Sequence, residues 1–309
     1  MTRVHIPREV RPTAAPSPQS PAMPNQLQPS PPGIRLRHRG REVALKWHML
    51  RRAPEDPAFC RTNLREGLAR GAVLEVDLVF SADGDGVCLH DPTLDRETTG
   101  TGRVRDHATA SIRALRQRGH DGAPLVTAPL LLDELLQAVR GAPPGSPSVI
   151  QLDLKEPPPG LTDAVRFRFA AAVGPLAPRF ILSGDDWAAV RDLAHDVPGL
   201  RLGFDPLCLY DDSWPRTPSE FRDLARRTLD AAPEAAIVYL EADLVLRGLG
   251  VGVNLLDPMH AAGKPVDCWT VDPRPDTARR LTALIEAGAD QITTNAPEAL
   301  ERLWQEATA

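Results

Sequence analysis

Two strand-like runs carry acids at alternate positions. In Leu74-Glu75-Val76-Asp77 the two carboxylates share one face, because side chains i and i+2 of a strand point the same way. In Leu152-Asp153-Leu154-Lys155 the same rule places Asp153 beside Lys155. His48 closes the run Val43–Trp47, and His90 closes Val87-Cys88-Leu89. Three carboxylates brought together repel one another and resist ionisation unless a cation neutralises them. An all-oxygen ligand set favours a hard divalent ion, Mg²⁺ or Ca²⁺, over Zn²⁺. Two imidazoles and one ammonium beside such an ion suit cleavage of a phosphodiester. The ion and Lys155 hold the phosphate oxygens; one imidazole takes a proton from the attacking oxygen and the other protonates the leaving alkoxide.

Those residues need strands to carry them and helices to back the strands. Short apolar runs occur at Val43–Trp47, Leu74–Val79, Val149–Leu154, Phe180–Ser183, Leu200–Phe204, Ile237–Leu240, Val266–Val271 and Gln291–Thr294. Helical patterns separate them at Asn63–Arg70, Leu131–Val139, Leu161–Val173, Asp185–Ala194, Ser219–Ala231, Ala242–Leu249, Thr277–Ala287 and Pro297–Gln305, with Asp185 and Ser219 as expected N-caps. Strands that each lead into a helix imply an α/β fold, a single (β/α)8 TIM barrel, with the candidate residues at the strands' C-terminal ends, where such barrels keep their chemistry. A doubly wound open sheet is less apt, since its Gly-rich phosphate turn is absent. Gly84–Leu130 interrupts the alternation as an insertion after the second strand, and long loops of that kind usually serve function.

Composition narrows the field. Residues 1–33 hold nine prolines and little to bury, so residues 1–41 are expected to be a disordered Pro/Arg-rich tail and 42–309 the barrel domain. The chain has 36 basic and 41 acidic residues, a net charge of −5, and no basic stripe in the folded part, which argues against nucleic acid. It has no apolar run long enough to span a membrane and no signal-peptide pattern. Four cysteines without CxxC spacing read as reduced thiols, which implies a cytoplasmic compartment.

Longer motifs carry a resemblance. Leu74-Glu75-Val76-Asp77, then Cys88-Leu89-His90-Asp91-Pro92-Thr93-Leu94-Asp95-Arg96, then Thr98-Thr99-Gly100-Thr101-Gly102 resemble the glycerophosphodiester phosphodiesterase family. Asp153-Leu154-Lys155, Trp269-Thr270-Val271-Asp272 and Thr293-Thr294-Asn295-Ala296-Pro297 extend the likeness towards the C-terminus. The resemblance implies a metal-dependent hydrolase that releases an alcohol and glycerol 3-phosphate from a small phosphodiester or a lysophospholipid. It implies His48 and His90 as the acid/base pair and Glu75, Asp77 and Asp153 as ligands of Mg²⁺ or Ca²⁺. Lys155 would contact the phosphate and Trp269 would line the pocket.

The family's first motif is His-Arg-Gly, and a literal His38-Arg39-Gly40 is present. It follows a polar run and lies 37 residues before Glu75, whereas His48 follows an apolar run and lies 27 residues before it, so His48 is the better match. Met49-Leu50 then replaces Arg-Gly, with Arg51 and Arg52 next in line as the phosphate's arginine. Asp153 replaces the family's usual Glu. Sphingomyelinase D-like phospholipases, which release a cyclic phosphate, share His-Met, Asp-Leu-Lys and Trp-Thr-Val-Asp, but this chain lacks their close cysteine pair after the second histidine. Loss of Arg-Gly also admits a barrel that binds a phosphorylated ligand without turning it over.

Overall fold

The computed structural model describes residues 31–209 and 214–308. In chain order the elements begin with β1 (Arg35–His38), β2 (Arg41–Trp47), α1 (Arg61–Arg70), β3 (Val73–Phe80), β4 (Gly86–Val87), α2 (Thr109–Arg113) and α3 (Leu132–Arg140). Next come β5 (Val149–Leu154), α4 (Asp163–Val173), β6 (Phe180–Gly184), α5 (Trp187–Ala194), β7 (Arg201–Phe204) and α6 (Pro218–Ala231). The chain ends with β8 (Ile237–Glu241), α7 (Ala242–Gly250), α8 (Leu256–Ala261), β9 (Val266–Trp269), α9 (Thr277–Ala287), β10 (Gln291–Thr294) and α10 (Pro297–Thr308).

The parallel strands run β2-β3-β5-β6-β7-β8-β9-β10, and β10 pairs back onto β2, so the sheet closes into the expected TIM barrel. Alternation decides what faces inward. Leu74, Val76 and Leu78 of β3 join the apolar layer under the helices, while Glu75 and Asp77 are left to the lumen. Register then brings the acids together, with Asp77 opposite Asp153 and Asp153 opposite Ser183. None of the described helices is long and apolar enough to cross a membrane.

The insertion is a folded unit. The short antiparallel pairing of β3 with β4 opens it, and Val79, Val87, Leu89, Leu94, Val104, Ile112 and Leu131 form a small apolar cluster of their own. Helix starts differ slightly from expectation. Asp186, not Asp185, caps α5 by accepting from the Ala189 amide at 3.0 Å, while Asp185 turns to Lys155. Thr217, not Ser219, caps α6, because Pro218 fits the first helical position and Glu220 completes a capping box.

Order also begins earlier than the sequence reading places it. Residues 1–30 lie outside the described residues, but β1 falls within the segment assigned to the tail and pairs antiparallel with β2, Leu36 opposite Val43. The alternation Ile34-x-Leu36 is the cause, since both side chains are buried. Arg39 and Gly40, with φ of 46° and 81°, turn the chain between the strands as a two-residue hairpin. The literal His38-Arg39-Gly40 is therefore a turn at the N-terminal end of β2, with the His38 ring edge-on to Trp304 at 5.4 Å, and His48 occupies the opposite end.

Leu36 tests whether this hairpin belongs to the fold. Leu36→Ala is expected to cost about 2–5 kcal/mol in chemical denaturation, the usual loss for a buried leucine. A change within about 0.5 kcal/mol, as for a surface position, would return β1 to the tail.

Candidate active site

The C-terminal ends of the strands surround a cavity of about 590 Å³, and all seven residues singled out in the sequence line it: His48, Glu75, Asp77, His90, Asp153, Lys155 and Trp269. One ligand oxygen from each of Glu75, Asp77 and Asp153 lies within 4.8 Å of the others. Lys155 closes the group, its Nζ 2.7 Å from Asp153 Oδ2 and 3.8 Å from Asp77 Oδ1. Glu75 Oε2 accepts from the Met49 amide at 2.6 Å. Its other oxygen, Oε1, and Asp77 Oδ2 are buried with no hydrogen-bond partner. Buried carboxylate oxygens left bare are costly, and a hard cation is the partner that suits them. The donor set therefore fits a divalent metal.

Electrostatics point the same way. Burial pushes Glu75 above the usual carboxylate range, with Asp153 adding to the rise against the opposing pull of His48. Asp77 is pushed far above that range by burial and then by Glu75 and Asp153. For Asp153 burial also acts upward, but the Lys155 ammonium beside it and the Ser183 hydroxyl hold it below the ordinary value. Burial works against the charge on Lys155, yet Asp153, Asp77 and Asp185 hold its ammonium above the usual lysine value.

Both imidazoles are held by Nδ1. His48 Nδ1 lies 2.9 Å from Asn295 Oδ1. The Asn295 amide nitrogen donates to Asp272 Oδ2 at 2.8 Å, so its oxygen must face the imidazole, and His48 Nδ1 must carry the proton. That leaves the Nε2 lone pair free, 3.9 Å from Glu75. His90 Nδ1 lies 2.9 Å from Asp91 Oδ1, and Asp91 can only accept while ionised. Hydrogen bonds from Arg96, then from His90, outweigh burial and bring Asp91 down to about 2. The His90 side chain is 45% exposed, at the mouth of the cavity.

The motif residues around His90 serve its loop. Glu97 accepts from the His90 and Asp91 amides at 2.8 and 3.1 Å. Thr98 is fully buried and bonds both Leu94 O and the Gly100 amide. Neither proposed stand-in for the missing arginine enters the cavity lining. Arg52 is taken by Glu66 and Glu298, and Arg51 reaches Asn295 Oδ1 at 3.5 Å. Met49 and Leu50 themselves take left-handed φ angles of 51° and 57°. Such a conformation costs about 1–2 kcal/mol per residue. Leu50 is wholly buried, and a buried leucine contributes about 2–5 kcal/mol, so packing outweighs strain where the family has glycine. Asn63 ties this turn by donating to Leu50 O and Asp56 Oδ2.

Sequence reasoning missed Lys46, Gln151, Ser183 and Asp267 on the barrel floor, Asn295 as the partner of His48, and Asp272 as the partner that holds Asn295. The period-two rule places Lys46 on the same face as His48, and Gln151 on the same face as Asp153, which was the available signal.

A profile of the Glycerophosphoryl diester phosphodiesterase family matches residues 62–299. Glycerophosphodiester phosphodiesterase 1 of Bos taurus is 44% identical over 64 residues, 20% of this chain; the match spans only 18% of the bovine protein's length. A glycerophosphodiester phosphodiesterase from Agrobacterium tumefaciens superposes with a TM-score of 0.60 at 20% identity, covering 84% of this chain and 99% of its own. A phosphodiesterase from Oleispira antarctica, solved with the product sn-glycerol-3-phosphate, gives 0.59 at 19%, covering 85% and 96%. At these identities the solved structures speak for the fold.

The cost of holding the acids together is measurable. Asp77 binds its proton more tightly when folded, so the metal-free protein loses stability as pH rises from the unfolded value of about 4 through the raised one. With a chelator at pH 8, Asp77→Asn is expected to melt about 2–4 °C higher than the parent, roughly 1 kcal/mol, with the gap closing towards pH 4. Saturating Mg²⁺ or Ca²⁺ should reverse the order. Equal melting of the two proteins at pH 8 in chelator would contradict the electrostatic picture.

Proposed function

We propose that this chain, which belongs to the Glycerophosphoryl diester phosphodiesterase family, hydrolyses glycerophosphodiesters to an alcohol and glycerol 3-phosphate. The observation that carries the reading is the pair of bare, buried oxygens on Glu75 and Asp77, set beside Asp153, Lys155 and His48 in one cavity. The Oleispira relative's product supports the choice of glycerol 3-phosphate. Free thiols at all four cysteines suit a reducing cytoplasm.

Glu75, Asp77 and Asp153 would hold the divalent metal, Mg²⁺ or Ca²⁺. When bound, it supplies charge neutralisation and polarises the phosphoryl oxygens. Lys155 places a permanent ammonium on the same group, and Trp269 walls the cavity against the substrate's organic part. His48 and His90 exchange protons through Nε2, because Asn295 and Asp91 hold their Nδ1 atoms. One imidazole removes a proton from the attacking oxygen and the other delivers a proton to the leaving alkoxide. If water attacks, glycerol 3-phosphate forms directly; if the adjacent glycerol hydroxyl attacks, the cyclic phosphate it forms is opened by water in a second step, with the imidazoles in exchanged roles. Asp272 keeps the Asn295 amide in the orientation that makes His48 Nε2 the reactive nitrogen.

Phosphorus NMR during turnover of glycerophosphocholine, lysophosphatidylcholine and sphingomyelin tests the assignment. Glycerol 3-phosphate is the expected product from glycerophosphocholine, lost with EDTA and restored by Mg²⁺ or Ca²⁺. His48→Ala and His90→Ala should each lower kcat about 10²–10⁴-fold. A cyclic phosphate as final product would assign the sphingomyelinase D-like chemistry instead, and no turnover of any of the three would leave a ligand-binding barrel.

A further inference from the structure

A line of buried polar side chains crosses the barrel beneath the acidic group. Lys46 on β2 is 2% exposed, and its Nζ donates to Gln151 Oε1. Gln151 Nε2 donates to Ser183 Oγ at 2.8 Å, and Ser183 Oγ donates to Asp153 Oδ1 at 2.5 Å. The direction of every link is forced. An ammonium can only donate and an ionised carboxylate can only accept, so the amide and hydroxyl between them have one consistent orientation. Bonds aligned in that way polarise one another in a low-dielectric interior.

The ammonium is fully engaged where it lies. Asp267, wholly buried, sits 3.3 Å from Nζ and is itself held by Gln291 and by Thr293 at 2.7 Å. The Tyr239 ring centroid lies 4.2 Å from Nζ. Lys46 is thus balanced by its own counter-ion and has its charge directed towards Gln151. At the other end, Asp153 is pulled two ways. Lys155 holds Oδ2 at 2.7 Å, and Ser183 holds Oδ1. Without the hydroxyl, nothing on the β6 side would keep the carboxylate from turning wholly to Lys155.

We propose that Lys46 is a positioning residue which, through Gln151 and Ser183, fixes the Asp153 carboxylate in the orientation that binds the divalent ion. This rests on the reading of Asp153 as a ligand. Lys46, Gln151 and Ser183 themselves are neither ligands nor acid/base groups; they set metal affinity from behind the ligand, in the way that hydrogen-bonded partners of metal-bound carboxylates do.

Calorimetric titration of the full chain with Mg²⁺ and with Ca²⁺, paired with thermal melts, tests the idea without reference to turnover. Ser183→Ala and Gln151→Met should each weaken the ion about 10–100-fold, and Ser183→Thr, which keeps the hydroxyl, should bind within about twofold of the parent. The neutral exchange Lys46→Met with Asp267→Asn should weaken it to a similar degree. Asp153→Asn should abolish binding. If Asp153→Asn abolishes binding while Ser183→Ala and Gln151→Met merely melt earlier and bind the ion as the parent does, the line is packing and the proposal is wrong. If the folded double variant alone binds normally, Lys46 has no part in it. Normal binding by Asp153→Asn would overturn the ligand reading and the proposal together.

Discussion

Three carboxylates share one buried corner of this barrel, and like charges at that distance oppose folding unless something positive stands among them. Glu75 and Asp77 are consecutive inward positions of β3, and the register of β3 on β5 sets Asp77 directly beside Asp153. The fold cannot relax this crowding without breaking the strand pairing. It tempers it instead, with the Met49 amide on Glu75, Lys155 on Asp153 and Asp77, and Ser183 on Asp153. Two oxygens remain bare. Natural barrels fill that layer with branched apolar side chains when it serves stability alone. Acid at these positions instead suits a bound cation.

The rest of the site is arranged around that corner. Each imidazole reaches the cavity from a different structural context and is oriented by a different device. His48 begins a left-handed turn, locked by Glu75 and Asn63, and takes its ring orientation from the loop that follows β10. His90 lies on the insertion, whose own apolar cluster and Glu97 carboxylate make the loop firm enough to place a side chain at the cavity mouth. The partner on Nδ1 is a neutral amide in one case and an anion in the other.

Much of this was legible in the sequence because barrel strands and their ends obey short-range rules. The apolar runs each became a barrel strand, and period two correctly turned Glu75, Asp77 and Asp153 inward. Strand context separated His48 from the literal His38-Arg39-Gly40, which proved to be a hairpin turn. What the sequence hid were partners brought together by closure. Asn295 is 247 residues from His48, and Gln151 is 105 from Lys46. No local pattern announces such pairs, and a lone lysine in an apolar run reads as a strand edge until a buried acid is found opposite it. β1 was missed for another reason: two apolar residues among four arginines read as tail by composition, and only their alternation against β2 gives them a face to bury.

The central claim is that the bare oxygens of Glu75 and Asp77, with Asp153, hold one divalent ion. Anomalous diffraction from crystals soaked in Mn²⁺, a hard ion with an anomalous signal, reads this directly. The account predicts a single strong peak among the three carboxylates, within about 2.0–2.6 Å of an oxygen from each, with Lys155 outside the coordination sphere. A map with no peak there, with the Lys155 ammonium drawn in among the acids instead, would contradict it.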